Sequence, residues 1–171
     1  EYKDGRNATP EELKMQMPYA RKILDGMGIK YYEMEGYEAD DIIGTLSNRA
    51  LIDPEFDATI VSSDRDLLQL INEQVDVKLL KTKGNIRYTK EKFIEDYGFE
   101  PIRIIDLKAL MGDASDNIPG VKGVGEKTAL KLIGEYDTIE NLYNHIDEIT
   151  GKLKDKLIDD KESAFFSKKI A

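Results

Sequence analysis

The sequence predicts an α/β fold in which a parallel sheet with flanking helices is followed by an all-helical region. Up to about residue 90, short runs of β-branched and aliphatic residues alternate with longer segments of helical periodicity, as in parallel sheets covered by helices. Beyond that point the strand-like runs stop while the helical periodicity continues. With 171 residues, of which 40% are hydrophobic, the chain can bury a core. We therefore expect two domains, residues 1–90 and residues 91–171.

The first predicted element is a helix that runs to about residue 26. Its start is indicated by Thr9 as the N-cap, Pro10 at the first helical position and Glu12 in a capping box. Apolar residues, beginning with Leu13 and Met17, then recur at steps of three and four residues. We expect this apolar face to belong to the core.

The other predicted elements follow from the same periodicities. In the α/β part they are a strand at 29–32, a helix at 38–51, a strand at 58–62, a helix at 64–71 and a strand at 75–80. In the all-helical part they are helices at 89–97, 101–111, 126–133 and 138–145, with two more between 152 and 169.

Seven carboxylates fall in three short groups near predicted helix starts, strand ends or loops. They are Glu38, Asp40 and Asp41 in YEADD, Asp64 and Asp66 in SSDRD, and Asp113 and Asp116 in MGDASDN. Within the first group, residues 38 and 41 are about 60° apart around a helix axis. We therefore expect these two side chains to share a face while residue 40 points elsewhere.

Three such groups can converge on one point of the fold. Clustered carboxylates repel one another, and they either take up protons or bind hard cations through oxygen. Two Mg²⁺ or Mn²⁺ ions about 3.5 to 4 Å apart would suit phosphodiester hydrolysis, since they activate water and stabilise the attacking and leaving oxygens. The alternative, for each group taken alone, is ordinary helix capping or solvated surface.

A glycine-rich segment, NIPGVKGVGEKTALKLIG, occupies residues 117–134. It is not a P-loop, because Glu126 separates Gly125 from Lys127 and no strand precedes it. The pattern indicates a hairpin whose following helix begins at about residue 126. Backbone N–H groups at the glycines and the helix start can face a phosphate. A plain connecting turn would also need glycine, but it does not explain the nearby positive charges of Lys122, Lys127 and Lys131.

Composition narrows the chemistry further. The chain has no cysteine and one histidine, which excludes disulfides, thiolate metal sites and cysteine nucleophiles. No run approaches the roughly 18 apolar residues of a membrane span and no secretory leader opens the sequence, so we expect a cytoplasmic protein without a membrane partner.

The net charge of -9 argues against a polyanionic partner at long range. However, the acids outside the three groups number 27 against 25 basic residues, so most of the excess lies at the expected metal site.

The motifs YKDGR, YEADD, SSDRD, MGDASDN and IPGVKGVGEKTA occur in the order and spacing of one known family. The chain resembles the bacterial 5′ nuclease family, the flap-endonuclease-like 5′→3′ exonuclease domain of DNA polymerase I. The resemblance covers essentially all of the sequence, although the family pattern begins further upstream with two more aspartates. It implies a PIN-like α/β nuclease domain followed by a helical region with a helix-hairpin-helix-type DNA-binding element.

The resemblance also implies an activity and a set of site residues. The family removes 5′ flaps and primers from branched or nicked duplex DNA with divalent metal ions, and the seven grouped acids match its metal positions. Lys3 and Arg6 match catalytic basic residues at the base of the helical arch, beside the DNA-binding Tyr2. The hairpin residues that match DNA-binding positions are Gly123, Val124 and Gly125, joined by Lys122, Lys127, Thr128 and Lys131.

Further expectations follow from the same resemblance. A K⁺ ion is expected at the hairpin, bound through main-chain oxygens, and a polymerase domain is an expected C-terminal partner in a monomeric bacterial protein. Because the two upstream aspartates lie outside this sequence, we expect the chain to bind branched DNA but to hydrolyse it weakly or not at all.

Two other functions remain open on the sequence. The first is a non-catalytic DNA-binding module whose acids serve folding alone. The second is a phosphotransferase that uses the aspartates of SSDRD as a nucleophile pair, although such enzymes usually have a hydroxyl residue where this chain has Leu68.

Overall fold

A small mixed sheet forms the centre of the α/β part in the computed structural model, which describes residues 8–53 and 55–171. Strand β1 (Ala58–Ser62) pairs in parallel with β2 (Val75–Leu79), and β2 pairs antiparallel with β3 (Ile86–Tyr88). The register places Ile60 opposite Val77. Strand β1 ends at Ser62, and the loop that carries the second group of acids follows its carboxyl end directly.

Helices make up most of the rest of the described chain. They are α1 (Glu11–Gly26), α2 (Ala39–Ala50), α3 (Lys90–Tyr97), α4 (Ile104–Met111), α5 (Glu126–Tyr136), α6 (Ile139–Asn144), α7 (Gly151–Asp159) and α8 (Lys161–Ile170). Short 3-10 helices lie at Asp66–Leu70, Pro101–Arg103 and Ile146–Glu148. The predicted order of an α/β part followed by helices is confirmed.

The predictions for the sheet were wrong in three respects. No strand forms at 29–32, because an extended run becomes a strand only beside a partner and none of the described strands pairs with it. Strand β3 was missed because it has only three residues, and its antiparallel pairing departs from the parallel arrangement expected. The helix predicted over 64–71 is present as a shorter 3-10 helix over Asp66–Leu70.

The first helix also differs from the prediction. It begins at Glu11, so Pro10 rather than Thr9 holds the N-cap position, and no side chain caps it. None of its residues is buried, and Leu13 and Met17 are 45% and 46% exposed. The expectation that this face belongs to the core was wrong for the described residues, because periodicity identifies an apolar stripe but not the element that covers it.

The core is continuous from the sheet into the helical part. Val75 and Val77 of β2 are fully buried, and they belong to one cluster with Phe93 of α3 and Leu110 of α4. Helix α4 is buried on nearly every side, since it packs against both α5 and α8. A side chain that projects from α4 toward the 3-10 helix after β1 is therefore held in a fixed position.

Candidate metal centre and nucleic-acid interface

An open cleft of about 630 Å³ brings carboxylates from both parts of the chain together. The acids that line it are Glu38, Asp40, Asp41, Asp64, Asp66 and Asp116. Lys108 also lines the cleft. Asp113 does not line it, but its Oδ2 atom lies 2.8 Å from Nζ of Lys108. All three predicted acidic groups thus meet in one region of the molecule.

The first group lies at the start of α2. Glu38 is the N-cap residue, and its backbone N–H donates to Oδ2 of Asp41 at 2.9 Å in a reciprocal capping box. Helix capping therefore accounts for part of the role of this group. The expectation that Asp40 points elsewhere was wrong, because Glu38 has extended rather than helical dihedrals and the helical-wheel angle does not apply to it.

The second group follows β1 directly. The backbone N–H of Asp64 donates to Oγ of Ser62 at 3.0 Å, and that of Asp66 donates to Oδ1 of Asp64 at 2.9 Å. These bonds turn the chain into the 3-10 helix, where Leu67 and Leu68 are buried and anchor it. Leu68 has no hydroxyl, and its side chain belongs to the core at the position where a phosphotransferase of this kind would use one.

The third group is held by the close approach of two loop segments. The backbone N–H groups of Asp113 and Ile118 each donate to the other's carbonyl, at 2.9 and 2.8 Å. Gly112 has a φ of 70°, and a Cβ there would lie 2.7 Å from the Ile118 carbonyl oxygen. Glycine is therefore required at residue 112, and the bridge fixes Asp113 beside the end of α4.

Lys108 of α4 is the basic residue on which the acids converge. Its Nζ donates to Asp66 Oδ2, lies 2.8 Å from Asp113 Oδ2 and lies 4.0 Å from Asp116 Oδ2. The lysine side chain is only 7% exposed. Sequence reasoning missed this residue, although a lysine inside the apolar run IIDLKALM next to MGD is a signal that could have found it.

Electrostatics in this cluster follow from burial and from the ammonium group. Burial raises the pKa of Asp66, and the hydrogen bond from Lys108 offsets that effect only in part. Burial alone would also raise the pKa of Asp113, but hydrogen bonds from Lys108 and Ser115 outweigh it and lower the value to about 2. Burial would lower the pKa of Lys108, whereas its bonds to the two aspartates raise it overall.

The donor set fits a divalent cation. Carboxylate oxygens of Asp66, Asp113 and Asp116 all lie within 4.8 Å of one another, and such oxygen donors are the ligands that Mg²⁺ and Mn²⁺ prefer. The Lys108 ammonium lies between Asp66 and Asp113 and already offsets part of their negative charge. The cluster therefore has an arrangement of carboxylates that suits a positive ion.

The glycine-rich hairpin (residues 120–125) leads into α5, as predicted. Gly123 has a φ of 76° and Gly125 is the N-cap residue of α5. Val124 is buried, and Thr128 is half-buried. Exposed lysines without an ion pair to any residue that the structure describes surround this segment; they are Lys122, Lys127 and Lys131. The predicted residues Tyr2, Lys3 and Arg6 lie outside the described residues.

Arg65 links the acidic cleft to the hairpin. Its Nη2 lies 2.9 Å from Oε1 of Glu126, the first residue of α5, and 3.1 Å from the hydroxyl of Tyr97. The loop after β1, which carries Asp64 and Asp66 on either side of Arg65, is therefore bonded to the first residue of α5. Across the ranges 8–53 and 55–171, no helix is long and apolar enough to cross a lipid bilayer.

Solved structures are similar to this fold. A structure of the T5 5′-exonuclease with bound divalent zinc ions is similar over 98% of this chain and 65% of its own, with 25% sequence identity and a TM-score of 0.73. The catalytic core of Rad2 in complex with DNA matches 90% of this chain and 50% of its own, with a TM-score of 0.58. At 21% identity, the second likeness shows the fold alone.

Sequence relatives agree with the structural likeness. DNA polymerase I of Streptococcus pneumoniae R6 is 51% identical over an alignment 175 residues long, which covers 100% of this chain and 20% of that protein. A 5′-3′ exonuclease of Bacillus subtilis is 52% identical over 148 residues, covering 85% of this chain and 49% of the relative. The chain thus spans about a fifth of the polymerase relatives and about half of the exonuclease.

Two family models divide the sequence between them. Residues 1–98 match the 5′-3′ exonuclease N-terminal resolvase-like domain, and residues 99–171 match the 5′-3′ exonuclease C-terminal SAM fold. These matches confirm the predicted fold class and the resemblance read from the motifs. The chain belongs to the 5′-3′ exonuclease family.

Proposed function

We propose that this chain is the 5′→3′ exonuclease and 5′-flap endonuclease portion of a bacterial protein of the DNA polymerase I kind. The proposed reaction is hydrolysis of phosphodiester bonds in branched or nicked duplex DNA during primer removal and repair. The observation that carries the proposal is the convergence of acids from three segments in one region, where Lys108 contacts those of the second and third groups. Family membership supports the same reaction.

The proposed cofactor is Mg²⁺, with Mn²⁺ as a substitute and two ions at work. Bound divalent ions would supply a hydroxide nucleophile and stabilise the attacking and leaving oxygens. The residues that would hold the metal are Asp66, Asp113 and Asp116, with the other four acids of the cleft acting directly or through water. Lys108 keeps these carboxylates close together by offsetting their mutual repulsion.

The proposed DNA path runs from the cleft to the hairpin. The exposed lysines beside the start of α5 would contact the phosphates of the duplex, while Tyr2, Lys3 and Arg6 would guide the scissile phosphate. In this scheme residues 1–90 carry the chemistry and residues 91–171 grip the duplex, in a monomeric cytoplasmic protein. The K⁺ ion expected at the hairpin would compete with Lys156 for the Gly123 carbonyl oxygen.

Binding and cleavage of one 5′-labelled flap duplex test the proposal. We expect the 171-residue chain to bind this DNA and to cleave it weakly or not at all in Mg²⁺. In the whole protein, Asp64→Asn should lower turnover about 100-fold or more while flap affinity changes less than about threefold. Asp57→Asn, at an exposed acid that does not line the cleft, is the matched control. Brisk cleavage by the chain would refute the first expectation, and equal loss of binding and turnover in Asp64→Asn would count against a metal role.

A non-catalytic DNA-binding module is the second candidate. The observation that favours it is that Lys108 already neutralises part of the acidic cluster, so the fold can tolerate these carboxylates without a metal. Metal titration separates the two candidates. A nuclease binds Mn²⁺ at the cluster, whereas a scaffold is indifferent to it.

A further inference from the structure

The turn of the hairpin is in contact with a lysine from a distant helix. Nζ of Lys156, on α7, donates to the carbonyl oxygen of Gly123 at 3.0 Å. The side chain of Lys156 is exposed, and it forms no ion pair with any residue in the ranges 8–53 and 55–171. A lysine ammonium has three donor positions, so two remain available for a partner in solution.

The hairpin leaves room for this ammonium group. Gly123 has a φ of 76°, and a Cβ at this position would lie 2.6 Å from Nζ of Lys156. A side chain at residue 123 would therefore displace the lysine from the carbonyl. The glycine thus permits both the backbone conformation and the lysine contact.

Other hairpin carbonyls already have donors. The Gly120 carbonyl accepts from Oγ of Ser163 at 2.6 Å, and the Val121 carbonyl accepts from the N–H of Val124 at 3.0 Å. Within the hairpin, few main-chain oxygens are left to surround a metal ion. A monovalent cation at the Gly123 carbonyl would also meet the positive charge of Lys156 at close range.

We propose that Lys156 supplies the cation of this hairpin. Its ammonium takes the place that K⁺ would have at the Gly123 carbonyl, and its free donors bind a phosphate of the DNA duplex. Duplex binding then requires no bound monovalent ion. The inference rests on the proposed DNA-binding function, and it assigns Lys156 as a positioning and phosphate-binding residue.

Duplex affinity in two salts tests this assignment. Binding of a fluorescent 5′-flap duplex is measured by anisotropy in KCl and in tetramethylammonium chloride at equal ionic strength, with EDTA present. For the wild-type chain we expect the two affinities to agree within about twofold, apart from ordinary salt screening. Lys156→Met should bind about tenfold more weakly in tetramethylammonium chloride and recover part of that loss in KCl, because K⁺ can reach the vacated carbonyl. Lys156→Arg should stay near wild type.

Controls separate this assignment from a change in folding or in overall charge. Lys92→Met removes the same charge from α3, where Lys92 is paired with Glu95 and Asp96, and it should change affinity little. Thermal unfolding of each variant reports whether it is folded, and a K⁺-specific rise in melting temperature confined to Lys156→Met supports the assignment without DNA.

Three results would overturn the assignment or its basis. A wild-type affinity several-fold higher in KCl would show that the hairpin needs K⁺. Equal affinities of Lys156→Met and wild type in both salts would show that the lysine contributes nothing. If the wild-type chain bound no flap duplex in either salt, the proposed function itself would fail.

Discussion

At the scale of single residues, Lys108 determines whether the acids of the cleft can lie together. Replacing it with methionine keeps most of the side-chain volume but removes the charge between Asp66 and Asp113. In EDTA we expect Lys108→Met to lower the free energy of unfolding by about 3 kcal/mol, because the half-buried carboxylates of Asp66 and Asp113 lose a buried counter-ion. Chemical denaturation in EDTA and in Mn²⁺ measures this effect.

Added Mn²⁺ should reduce the loss of unfolding free energy caused by Lys108→Met, since a metal ion can replace the missing positive charge. Lys78→Met, at an exposed position on β2, is the matched control and should be nearly neutral in both conditions. A deficit of the same size with and without Mn²⁺ would contradict the view that positive charge between Asp66 and Asp113 stabilises this cluster.

Two glycines fix the loop that carries the third acidic group. Gly120 has a φ of 61°, and a Cβ there would lie 2.7 Å from Cα of Gly112. We expect Gly120→Ala to cost about 3 kcal/mol of folding free energy, since both the backbone conformation and the close approach are lost. Gly134→Ala in α5, where nothing lies within 4 Å, should instead stabilise the protein by about 0.5 to 1 kcal/mol. Equal effects of the two changes on urea denaturation would contradict this account.

At the scale of elements, two of the predicted helices begin at local capping signals that the structure shows. Oγ1 of Thr89 accepts from the N–H of Lys92 at 3.2 Å, and Oγ1 of Thr138 accepts from that of Asn141 at 3.1 Å. Such caps depend only on residues three apart, so the sequence shows them directly. Strand pairing and helix burial depend on distant partners, which explains the wrong predictions for residues 29–32 and for α1.

In the candidate site too, the features that depend on local sequence were predictable and those that depend on distant partners were not. The three acidic groups were visible because each is a short local motif, and their convergence followed from the expected position of strand ends and helix starts. Lys108 was not visible in this way, because its partner Asp66 is 42 residues away in the sequence. The role of Lys156 at the hairpin was hidden for the same reason, since it lies 33 residues from Gly123.

A buried aspartate joins three helices of the C-terminal part. Oδ1 of Asp106, on α4, accepts from the N–H of Ile139 at the start of α6 and from Nζ of Lys168 on α8, at 3.0 and 2.6 Å. We expect Asp106→Ala to cost about 3 to 5 kcal/mol, because both donors lose a buried charged partner. Urea denaturation monitored by circular dichroism measures the loss.

Glu140, the other residue whose carboxylate pairs with Lys168, provides the control for Asp106→Ala. Glu140 lies 2.7 Å from the same ammonium, but its side chain is 51% exposed. Glu140→Gln should therefore cost less than about 1 kcal/mol. A comparable loss in both variants would show that burial does not distinguish the two pairs.

At the scale of the whole molecule, charge is distributed unevenly. Most of the net charge of -9 comes from the grouped acids at the cleft, while the hairpin presents lysines without carboxylate partners among the described residues. A polyanion can therefore approach the hairpin without meeting the full negative charge. The exposed apolar stripe of α1 is the other large-scale feature, and no described element covers it.

Direct titration of Mn²⁺ into the chain, followed by electron paramagnetic resonance, tests the central claim that the converging acids form a divalent metal site. We expect the wild-type chain to bind Mn²⁺ and the double variant Asp66→Asn, Asp113→Asn to bind it about tenfold more weakly or not at all. Asp57→Asn should match wild type, since this exposed acid does not line the cleft. Identical Mn²⁺ binding by the wild-type chain and the double variant would contradict the claim.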